Sequence, residues 1–245
     1  MTKLIQLNTW QGGLASNVDR FLERQNADIL MLQEVLSSPE GQTFYFDKLQ
    51  QMKAKSNLEH DFFSPLMGHV FQGLKTYYGN AILSRFKFEK TYAEFTHLAY
   101  NDHWNPLTDS DEMKLFQHGV VSLPSGVSVN LVNYHGFNMH SKKEGNAETE
   151  KHCMQIAQYL DTIKGPKILT GDFNLAPDSL SLAPLNSRLK NLCIENKVET
   201  TRNQLAKSMT VVDYIWVSDS ITVNRFEVLP DLVSDHAALL LEFDI

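Results

Sequence analysis

Short apolar runs alternate with segments of helical periodicity from the start of the chain. Residues 4–7 predict a short strand, and Ser16 is placed to cap the helix that follows. The apolar positions of that helix lie on one face and are Val18, Phe21 and Leu22. The run at 29–32 has no polar alternation, which is typical of a strand buried on both faces. Helices are therefore expected to cover a sheet.

The clearest helix is predicted at 146–163. Apolar residues recur there with helical spacing, and Gly165 followed by Pro166 provides a stop. The positions on its apolar face are Cys153, Ile156, Ala157, Leu160 and Ile163.

Most of the remaining apolar segments are typical of strands. Strands are predicted at 79–84, 127–134, 167–170, 211–217, 221–228 and 237–243, and hairpin-like segments fill much of 60–96. No repeat, low-complexity tract or linker divides the sequence. We therefore expect one domain, residues 1–245, in which outer helices cover mixed sheets.

The segment 97–112 is long and polar, and its aromatic residues Tyr100 and Trp104 predict an ordered surface loop. Two interpretations are open. Either the loop contacts a ligand, as such loops often do, or its aromatic residues only pack locally.

The composition is typical of a globular protein rather than a disordered, fibrous or membrane-embedded one. The chain has 245 residues, of which 42% are hydrophobic and 21% charged. Folding at this length buries roughly 70–75% of the surface of the unfolded chain, so the core needs no disulfides. The formal net charge of −7 disfavours non-specific attraction to nucleic acid or to an anionic membrane. A local basic groove remains compatible with that charge.

Cysteine usage and hydropathy suggest a location. Cys153 and Cys193 lack the spacing of a metal site or a redox motif, and we interpret both as buried thiols in a reducing compartment. No stretch offers about 18 successive apolar residues, and the N-terminal apolar run is too short for a secretory signal. We therefore expect a cytoplasmic protein without membrane insertion, and no obligate protein partner is indicated.

Polar residues suited to catalysis or metal binding stand repeatedly at the ends of apolar runs. The acids, amides and imidazoles in this position are Asn8, Glu34, His135, Asp172, Asn174, Asp235 and His236. Asp213 lies inside the apolar segment 211–217, where a carboxylate is costly unless it is paired, hydrogen-bonded or metal-bound. Several strand ends gathered at one sheet edge would build a single polar site.

Each of these residues also has a purely structural interpretation. Glu34 could be a surface carboxylate, the segment 171–174 a simple turn and His135 a satisfied core histidine. Asp213 is harder to explain in this way, and His236 is its natural partner. The combination of all of them favours a functional site.

Six short motifs resemble, in order along the chain, the signatures of the endonuclease/exonuclease/phosphatase superfamily. They are Leu7-Asn8-Thr9-Trp10, Leu32-Gln33-Glu34-Val35, Gly79-Asn80-Ala81-Ile82-Leu83-Ser84-Arg85, Gly171-Asp172-Phe173-Asn174, Asp213-Tyr214-Ile215 and Ser234-Asp235-His236. The resemblance covers nearly the whole chain. It implies a DNase I-like fold, which is a four-layered α/β sandwich with two packed mixed β-sheets and helices outside.

The resemblance also implies a divalent-metal site and no organic cofactor. Glu34 would be the principal carboxylate ligand of Mg²⁺, assisted by Asn8 and by Asp235 directly or through water. Hard oxygen ligands suit this ion, and Mn²⁺ could substitute for it.

The catalytic roles follow from the same resemblance. Asp172 and Asn174 would orient the attacking water and the scissile phosphate, with Asp172 the preferred general base. Asp213 would orient His236. Both His135 and His236 would donate hydrogen bonds to phosphate oxygens as negative charge develops.

The chain departs from the family pattern around the first histidine. The family often has Thr-His-Leu there, whereas this chain has Asn133-Tyr134-His135-Gly136-Phe137, similar to a small bacterial subgroup of unsettled substrate. Some nucleases pair this histidine with an acid from the central hairpins. Residues 66–80 contain no acid, so a carbonyl group or a water molecule must orient it. Residues 32–35 look more like the phosphodiesterase, deadenylase and sphingomyelinase branches.

Further residues are candidates for substrate contact. Asn80 is expected beside the same phosphate. Arg202 and, with less support, Lys207 could also reach a substrate phosphate, and the alternative for both is a solvated loop. The run Lys142-Lys143-Glu144 is interpreted as a solvated surface segment.

Together these expectations describe a divalent-metal-dependent phosphoesterase in which an activated water attacks phosphorus without a covalent intermediate. A single metal ion is favoured. The expected substrate is a small or accessible phosphodiester or phosphomonoester. The alternatives are a DNA or RNA nuclease, which the acidic composition disfavours, and a non-catalytic protein that binds phosphorylated ligands, which the completeness of the residue set disfavours.

Overall fold

The computed structural model describes residues 1–38, 47–71, 73–105, 108–109, 113–138 and 143–245. Its strands are β1 (Thr2–Asn8), β2 (Ile29–Ser37), β3 (His60–Phe71), β4 (Leu74–Ser84), β5 (Phe88–His97), β6 (Lys114–Ser122), β7 (Ser128–His135), β8 (Lys167–Asp172), β9 (Lys190–Asn191), β10 (Asp213–Val217), β11 (Thr222–Val228) and β12 (Leu239–Asp244). The α-helices are α1 (Ala15–Gln25), α2 (Lys48–Ser56), α3 (Ala147–Thr162), α4 (Ala183–Asn186) and α5 (Leu192–Glu195). Short 3-10 helices lie at Trp10–Gly12 and Leu180–Leu182.

In the described chain the strands form two mixed sheets of six strands each. The first has the order β11-β12-β1-β2-β4-β3, and the second has the order β5-β6-β7-β8-β10-β9. Each sheet contains one parallel pair near its centre, β1 with β2 and β7 with β8. The chain crosses between the paired strands through α1 in the first sheet and through α3 in the second, because parallel neighbours need a crossover connection.

The apolar core lies in layers on both sides of the first sheet. One cluster joins the outer face of that sheet to α1 and α2, for example through Leu30, Phe21 and Met52. The larger cluster fills the space between the two sheets and extends to α3 through Ile156. The order of layers is therefore helix, sheet, sheet and helix, which confirms the α/β sandwich expected from the resemblance. Within the described residues, no helix is both long enough and apolar enough to cross a membrane.

The predicted helix at 146–163 is confirmed as α3. Its N-cap, Asn146, accepts hydrogen bonds from the backbone N–H groups of Glu148 and Thr149, and Thr149 bonds back to the Asn146 backbone. This reciprocal capping satisfies donors that a helix start leaves unpaired. Each predicted strand segment also overlaps an observed strand, although β10 begins only at Asp213 and β12 only at Leu239.

One local expectation is wrong, and some elements were not expected from the sequence. Ser16 does not cap α1, because the helix already begins at Ala15 and its N-cap, Leu14, makes no side-chain cap. Helix α2 and strand β6 were not predicted from the sequence. In the segment 97–112, residues 106, 107 and 110–112 lie outside the described residues, so the expectation of an ordered loop is tested only for the remainder. Cys153 and Cys193 are free and buried, as expected.

Candidate active site

The topology brings the ends of both parallel strand pairs to one edge of the sandwich. Asn8 ends β1, while His135 and Asp172 end β7 and β8 and lie opposite each other in register. Strand β10 runs antiparallel to β8, so its first residue, Asp213, pairs with Asp172. Residues 235–236 precede β12, which is antiparallel to β1. Residues far apart in sequence therefore gather at one place, as the strand-end pattern predicted.

Glu34 reaches the site from a bulge in β2. The register between β2 and β4 shifts between Leu32 and Val35, and Glu34 has a left-handed backbone with φ of 57°. Such a conformation is uncommon for a residue with a side chain and is found at bulges that redirect a side chain. Burial raises the pKa of the Glu34 carboxyl, whereas the hydrogen bond from Asn8 opposes this rise.

Asn8 links two of the acids. Its Nδ2 donates to Oε1 of Glu34 at 3.1 Å and to Oδ2 of Asp172 at 3.0 Å, while its Oδ1 accepts from the Trp10 backbone N–H. Asn8 therefore orients both carboxylates, and ligation through Oδ1 would require its amide to rotate. Asn80 lies on β4 opposite the bulge, fully buried, and neither polar atom of its amide has a partner among the described residues.

Asp172 lies at the centre of the polar groups and is almost fully buried. Its Oδ1 accepts from the backbone N–H of Asn174, and its Oδ2 lies 3.5 Å from Nε2 of His236 and 3.7 Å from Nε2 of His135. The preceding Gly171 has φ of +150°, and a Cβ there would lie 1.9 Å from the Tyr134 carbonyl oxygen. Only glycine allows β7 and β8 to approach this closely.

Asp213 and His236 form a buried pair. Nδ1 of His236 lies 2.8 Å from Oδ2 of Asp213, which also accepts from the hydroxyl of Thr201 at 2.8 Å. Burial alone would lower the pKa of His236, but the carboxylates of Asp213 and Asp172 raise it to about 9. The pair supports the Asp213–His236 partnership inferred from the sequence and leaves Nε2 facing the open site.

His135 is held differently. Burial, reinforced by the positive charge of Lys114, lowers its pKa to about 3, so the imidazole is neutral near pH 7. Its Nδ1 is buried without a hydrogen-bond partner among the described residues. No carbonyl group of the described residues therefore bonds to this nitrogen. Its Nε2 faces Glu34 and Asp172 at 3.8 and 3.7 Å.

Arg202 contacts both Asp235 and His236 at the site. Its guanidinium donates to Oδ2 of Asp235 at 2.5 Å and lies 2.6 Å from Nε2 of His236. A guanidinium group only donates, so this contact needs the neutral form of His236, whereas the carboxylates of Asp213 and Asp172 favour its protonated form. A phosphate oxygen placed between the two side chains could accept from both of them.

Seven of the ten candidate residues line one polar cavity of about 280 Å³: Glu34, His135, Asp172, Asn174, Arg202, Asp235 and His236. Asn8 and Asp213 stand behind it and bond to residues that line it. Asn80 is not among the lining residues. Carboxylate oxygens from three separate segments enter this cavity, which is the donor chemistry that Mg²⁺ and Mn²⁺ prefer. The residues therefore fit a hard divalent cation.

A second, less polar cavity of about 140 Å³ adjoins the first, and Gln11 and Tyr78 line both. Its remaining lining residues are Leu36, Met67, His69, Trp104, Met113 and Lys114. Nε1 of Trp104 and Nδ1 of His69 are buried without partners among the described residues. Trp104 lines this cavity and also packs against the apolar cluster that includes Met67 and Met113.

Sequence reasoning missed the buried polar residues that support the site. Gln6 donates to Oδ1 of Asp213 at 3.1 Å and to Gln33 at 2.8 Å, and Gln33 donates to Asn133 across the gap between the sheets at 2.6 Å. Thr201 was also missed. Polar residues within otherwise apolar strands were the available signal, since buried amides require partners.

Lys143 corrects the interpretation of 142–144 as a solvated surface run. Its ammonium group donates to Oδ1 of Asn174 at 2.7 Å and to Asn138, and burial lowers its pKa. Lys142 lies outside the described residues. Lys207 lines a further cavity together with Lys143 and Arg202, so these three cations flank the catalytic cavity.

A two-sheet α/β sandwich with acids and histidines gathered at one edge defines the DNase I-like class of folds. The sequence profile of the Endonuclease/Exonuclease/phosphatase family matches residues 5–236, and the chain belongs to this family. Members of the superfamily are hydrolases that act on phosphoester bonds.

Solved structures with the same fold have low sequence identity to this chain. An endonuclease/exonuclease/phosphatase from Bacteroides vulgatus has a TM-score of 0.75 at 17% identity, covering 100% of this chain and 98% of that chain. A mannosyl-6-phosphatase from Bacteroides thetaiotaomicron has a TM-score of 0.70 at 16% identity, covering 100% of both chains. The human Nocturnin catalytic domain with bound sulfate has a TM-score of 0.68 at 19% identity, covering 99% of this chain and 94% of that chain. No curated protein matches the chain significantly.

Proposed function

We propose that this protein is a divalent-metal-dependent phosphoesterase that hydrolyses a small phosphodiester or phosphomonoester. The observation that carries the proposal is the position of His236. Its Nδ1 is held by Asp213, and its Nε2 faces Asp172 and Arg202 in a cavity that also contains Glu34 and Asp235. A protein that only bound phosphate would not need an acid-oriented imidazole facing a second buried acid.

Glu34 and Asp235 are the proposed ligands of Mg²⁺ or Mn²⁺, with Asn8 as a third ligand or as the group that orients Glu34. The bound cation would neutralise charge on the phosphoryl oxygens. Arg202 would leave its contact with His236 to bind the same phosphate.

Asp172 is the proposed general base. It would take a proton from the attacking water as the new P–O bond forms and the bond to the leaving group breaks. Asn174 would position the phosphate, and Asn80 would lie close to it. His135 and His236 would donate hydrogen bonds to oxygens whose negative charge increases in the transition state.

The adjoining 140 Å³ cavity supports a small substrate with an organic group over a polymer. Its size suits one ring system, because a cavity of about 150 Å³ accommodates a benzene-sized ligand. The occurrence of a mannosyl-6-phosphatase among the structural relatives is consistent with a small monoester. The formal charge of −7 disfavours extended binding to a nucleic acid backbone.

The test is a turnover screen of the purified protein. It would use sugar phosphates, nucleotides, aromatic phosphodiesters and labelled oligonucleotides, each with Mg²⁺, Mn²⁺ or EDTA. We expect metal-dependent hydrolysis of at least one small ester, loss of that activity in Asp172→Asn, and normal activity in Asp178→Asn, whose side chain is exposed. Turnover that persists after rigorous chelation, or no turnover of any ester, would overturn the proposal.

The nuclease alternative makes a different prediction in a salt titration of Asp172→Asn protein with the oligonucleotides. A polymer-binding nuclease shows a log–log slope of roughly −0.9 per phosphate contacted on duplex DNA and about −0.7 on single strands. We expect weak binding and a shallow slope. Tight, length-dependent binding with a steep slope and efficient cleavage would favour the nuclease.

A further inference from the structure

Two histidines and a glutamate meet outside the catalytic cavity. His97 ends β5, Glu148 lies in the first turn of α3, and His152 follows on the same helix. Nδ1 of His97 lies 3.2 Å from Oε1 of Glu148, and Nε2 of His152 lies 3.1 Å from the same oxygen. The three ligand atoms lie within 4.8 Å of one another.

The spacing on α3 matters because residues four apart lie on the same face of a helix. Glu148 and His152 therefore face His97 together. The capping of α3 by Asn146 fixes where this face begins. A carboxylate and an imidazole in this spacing, with a second imidazole from another element, can surround one cation.

The distances fit metal ligands better than a strong ion pair. Charge-assisted hydrogen bonds to a carboxylate are about 2.7–2.9 Å long. Two tetrahedral ligands of Zn²⁺, each about 2.0–2.1 Å from the ion, are about 3.3 Å apart. The separations of 3.1 and 3.2 Å between the Glu148 oxygen and the two imidazole nitrogens are close to the spacing of zinc ligands.

The surroundings of His152 match those of a metal-bound histidine. Its Nδ1, on the far side of the ring from Glu148, lies 2.9 Å from the hydroxyl of Tyr134. Metal-bound histidines are usually held through their other ring nitrogen in this way. Phe137 stacks on the His152 ring at 5.0 Å and meets the His97 ring edge-on at 4.7 Å, so both rings are held in place.

We propose that His97, Glu148 and His152 bind Zn²⁺ at a site separate from the catalytic magnesium site. Two imidazole nitrogens and one carboxylate oxygen are ligands typical of zinc, whereas Mg²⁺ prefers oxygen alone. Water would complete a tetrahedron. Lys151, whose ammonium lies 3.3 Å from the same Glu148 oxygen, is 66% exposed and is free to turn into solvent when the ion binds.

The site would position residues next to the catalytic histidine. Tyr134 and Phe137 lie immediately on either side of His135 and Gly136, and both contact His152. Bound zinc would join the end of β5, the start of α3 and the segment after β7. Its role is structural, since the cluster does not line the catalytic cavity.

The test measures metal content and stability rather than turnover. The protein would be stripped with a chelator, returned to saturating Mg²⁺, titrated with Zn²⁺ and analysed by elemental mass spectrometry. We expect one tightly bound zinc per chain and a rise of about 5 °C or more in Tm at a hundredfold excess over Kd. Bound Co²⁺ should give the intense visible absorption of a four-coordinate site.

Matched variants separate the two metal sites. His97→Gln and Glu148→Gln change partly exposed side chains and should lose the zinc and its Tm shift, whereas Glu150→Gln on the same helix should keep both. His236→Gln should retain the zinc, because it alters only the catalytic cluster. Tyr134→Phe should weaken zinc binding by about 10–100-fold without abolishing it. Zinc that is absent from the wild type, kept in Glu148→Gln or lost in His236→Gln would overturn the proposal.

Discussion

Oδ2 of Asp213 lies 2.8 Å from Nδ1 of His236, although the two residues are 23 positions apart and Asp213 begins β10 whereas His236 precedes β12 of the other sheet. Thr201 and Gln6 hold the acid from its other sides. This relationship fixes both the orientation of the imidazole and its preference for a proton. The two residues should therefore behave as one unit in kinetics.

We expect His236→Ala to lower kcat by about 10²–10⁴-fold, the usual range for a group that transfers a proton or stabilises charge. Asp213→Asn should also lower kcat, and the double variant should be little worse than His236→Ala alone. Steady-state kinetics on the best substrate from the screen would measure this. Losses that multiply in the double variant would show that the pair is not coupled.

Glu34→Gln should weaken the response to metal. The change removes one ligand charge with little change in volume, so the Mg²⁺ concentration for half-maximal activity should rise at least about tenfold. Glu195→Gln, which alters an exposed acid on α5, is the control. An unchanged metal requirement in Glu34→Gln would remove Glu34 from the metal site.

Trp104→Ala should act on substrate affinity. Loss of its ring from the adjoining cavity should raise KM about tenfold for an ester with an aromatic group and leave kcat nearly unchanged, because the contact exists equally in ground and transition states. Tyr100→Ala, an exposed aromatic residue of the same loop, should leave KM unchanged. Equal effects of the two changes would argue against a substrate contact by Trp104.

Gly171→Ala should destabilise the fold by about 3 kcal/mol or more. Its new Cβ would clash with the Tyr134 carbonyl oxygen in a backbone conformation that disfavours side chains. Gly126→Ala is the matched control, because Gly126 has φ of +83° but open space around it, and it should cost only about 1–2 kcal/mol. Urea unfolding would measure both, and similar losses would show that the clash is relieved.

His118 should make stability depend on pH. Burial lowers the pKa of His118, and the positive charge of Lys90 lowers it further, whereas the hydrogen bond with Asn130 raises it. The Tyr159 hydroxyl faces Nδ1 of the same ring. Below about pH 6.5 the unfolded chain therefore binds a proton that the folded chain resists, so stability falls as pH falls through this range.

His118→Gln should reduce the slope of the free energy of unfolding against pH. The reduction is at most about 1.4 kcal/mol per pH unit, the value for one proton. Urea unfolding between pH 5 and 7.5 would measure the slope, with the exposed His103→Gln as the control. A slope in His118→Gln that equals that of the wild type would contradict the assignment.

The sequence by itself determined much of the architecture and the chemical composition of the site. The apolar run at 29–32 and the periodicity of 146–163 predict a buried strand and a long helix because both patterns are local and repeat with the geometry of the element. The strand-end acids, amides and histidines, read with the six ordered motifs, identified the residues that now meet at one edge. Their predicted individual roles await the experiments above.

Only the tertiary structure decided how those residues are held. The bulge that turns Glu34 inward depends on the register between β2 and β4, which no local pattern encodes. Lys143 looked like part of a solvated run, but it is half-buried and its ammonium group bonds to Asn174 at the site. Likewise, Glu148 and His152 meet His97 only because β5 ends beside α3. Contacts between residues distant in sequence depend on the complete packing of the two sheets, and they therefore emerge only when the chain is folded.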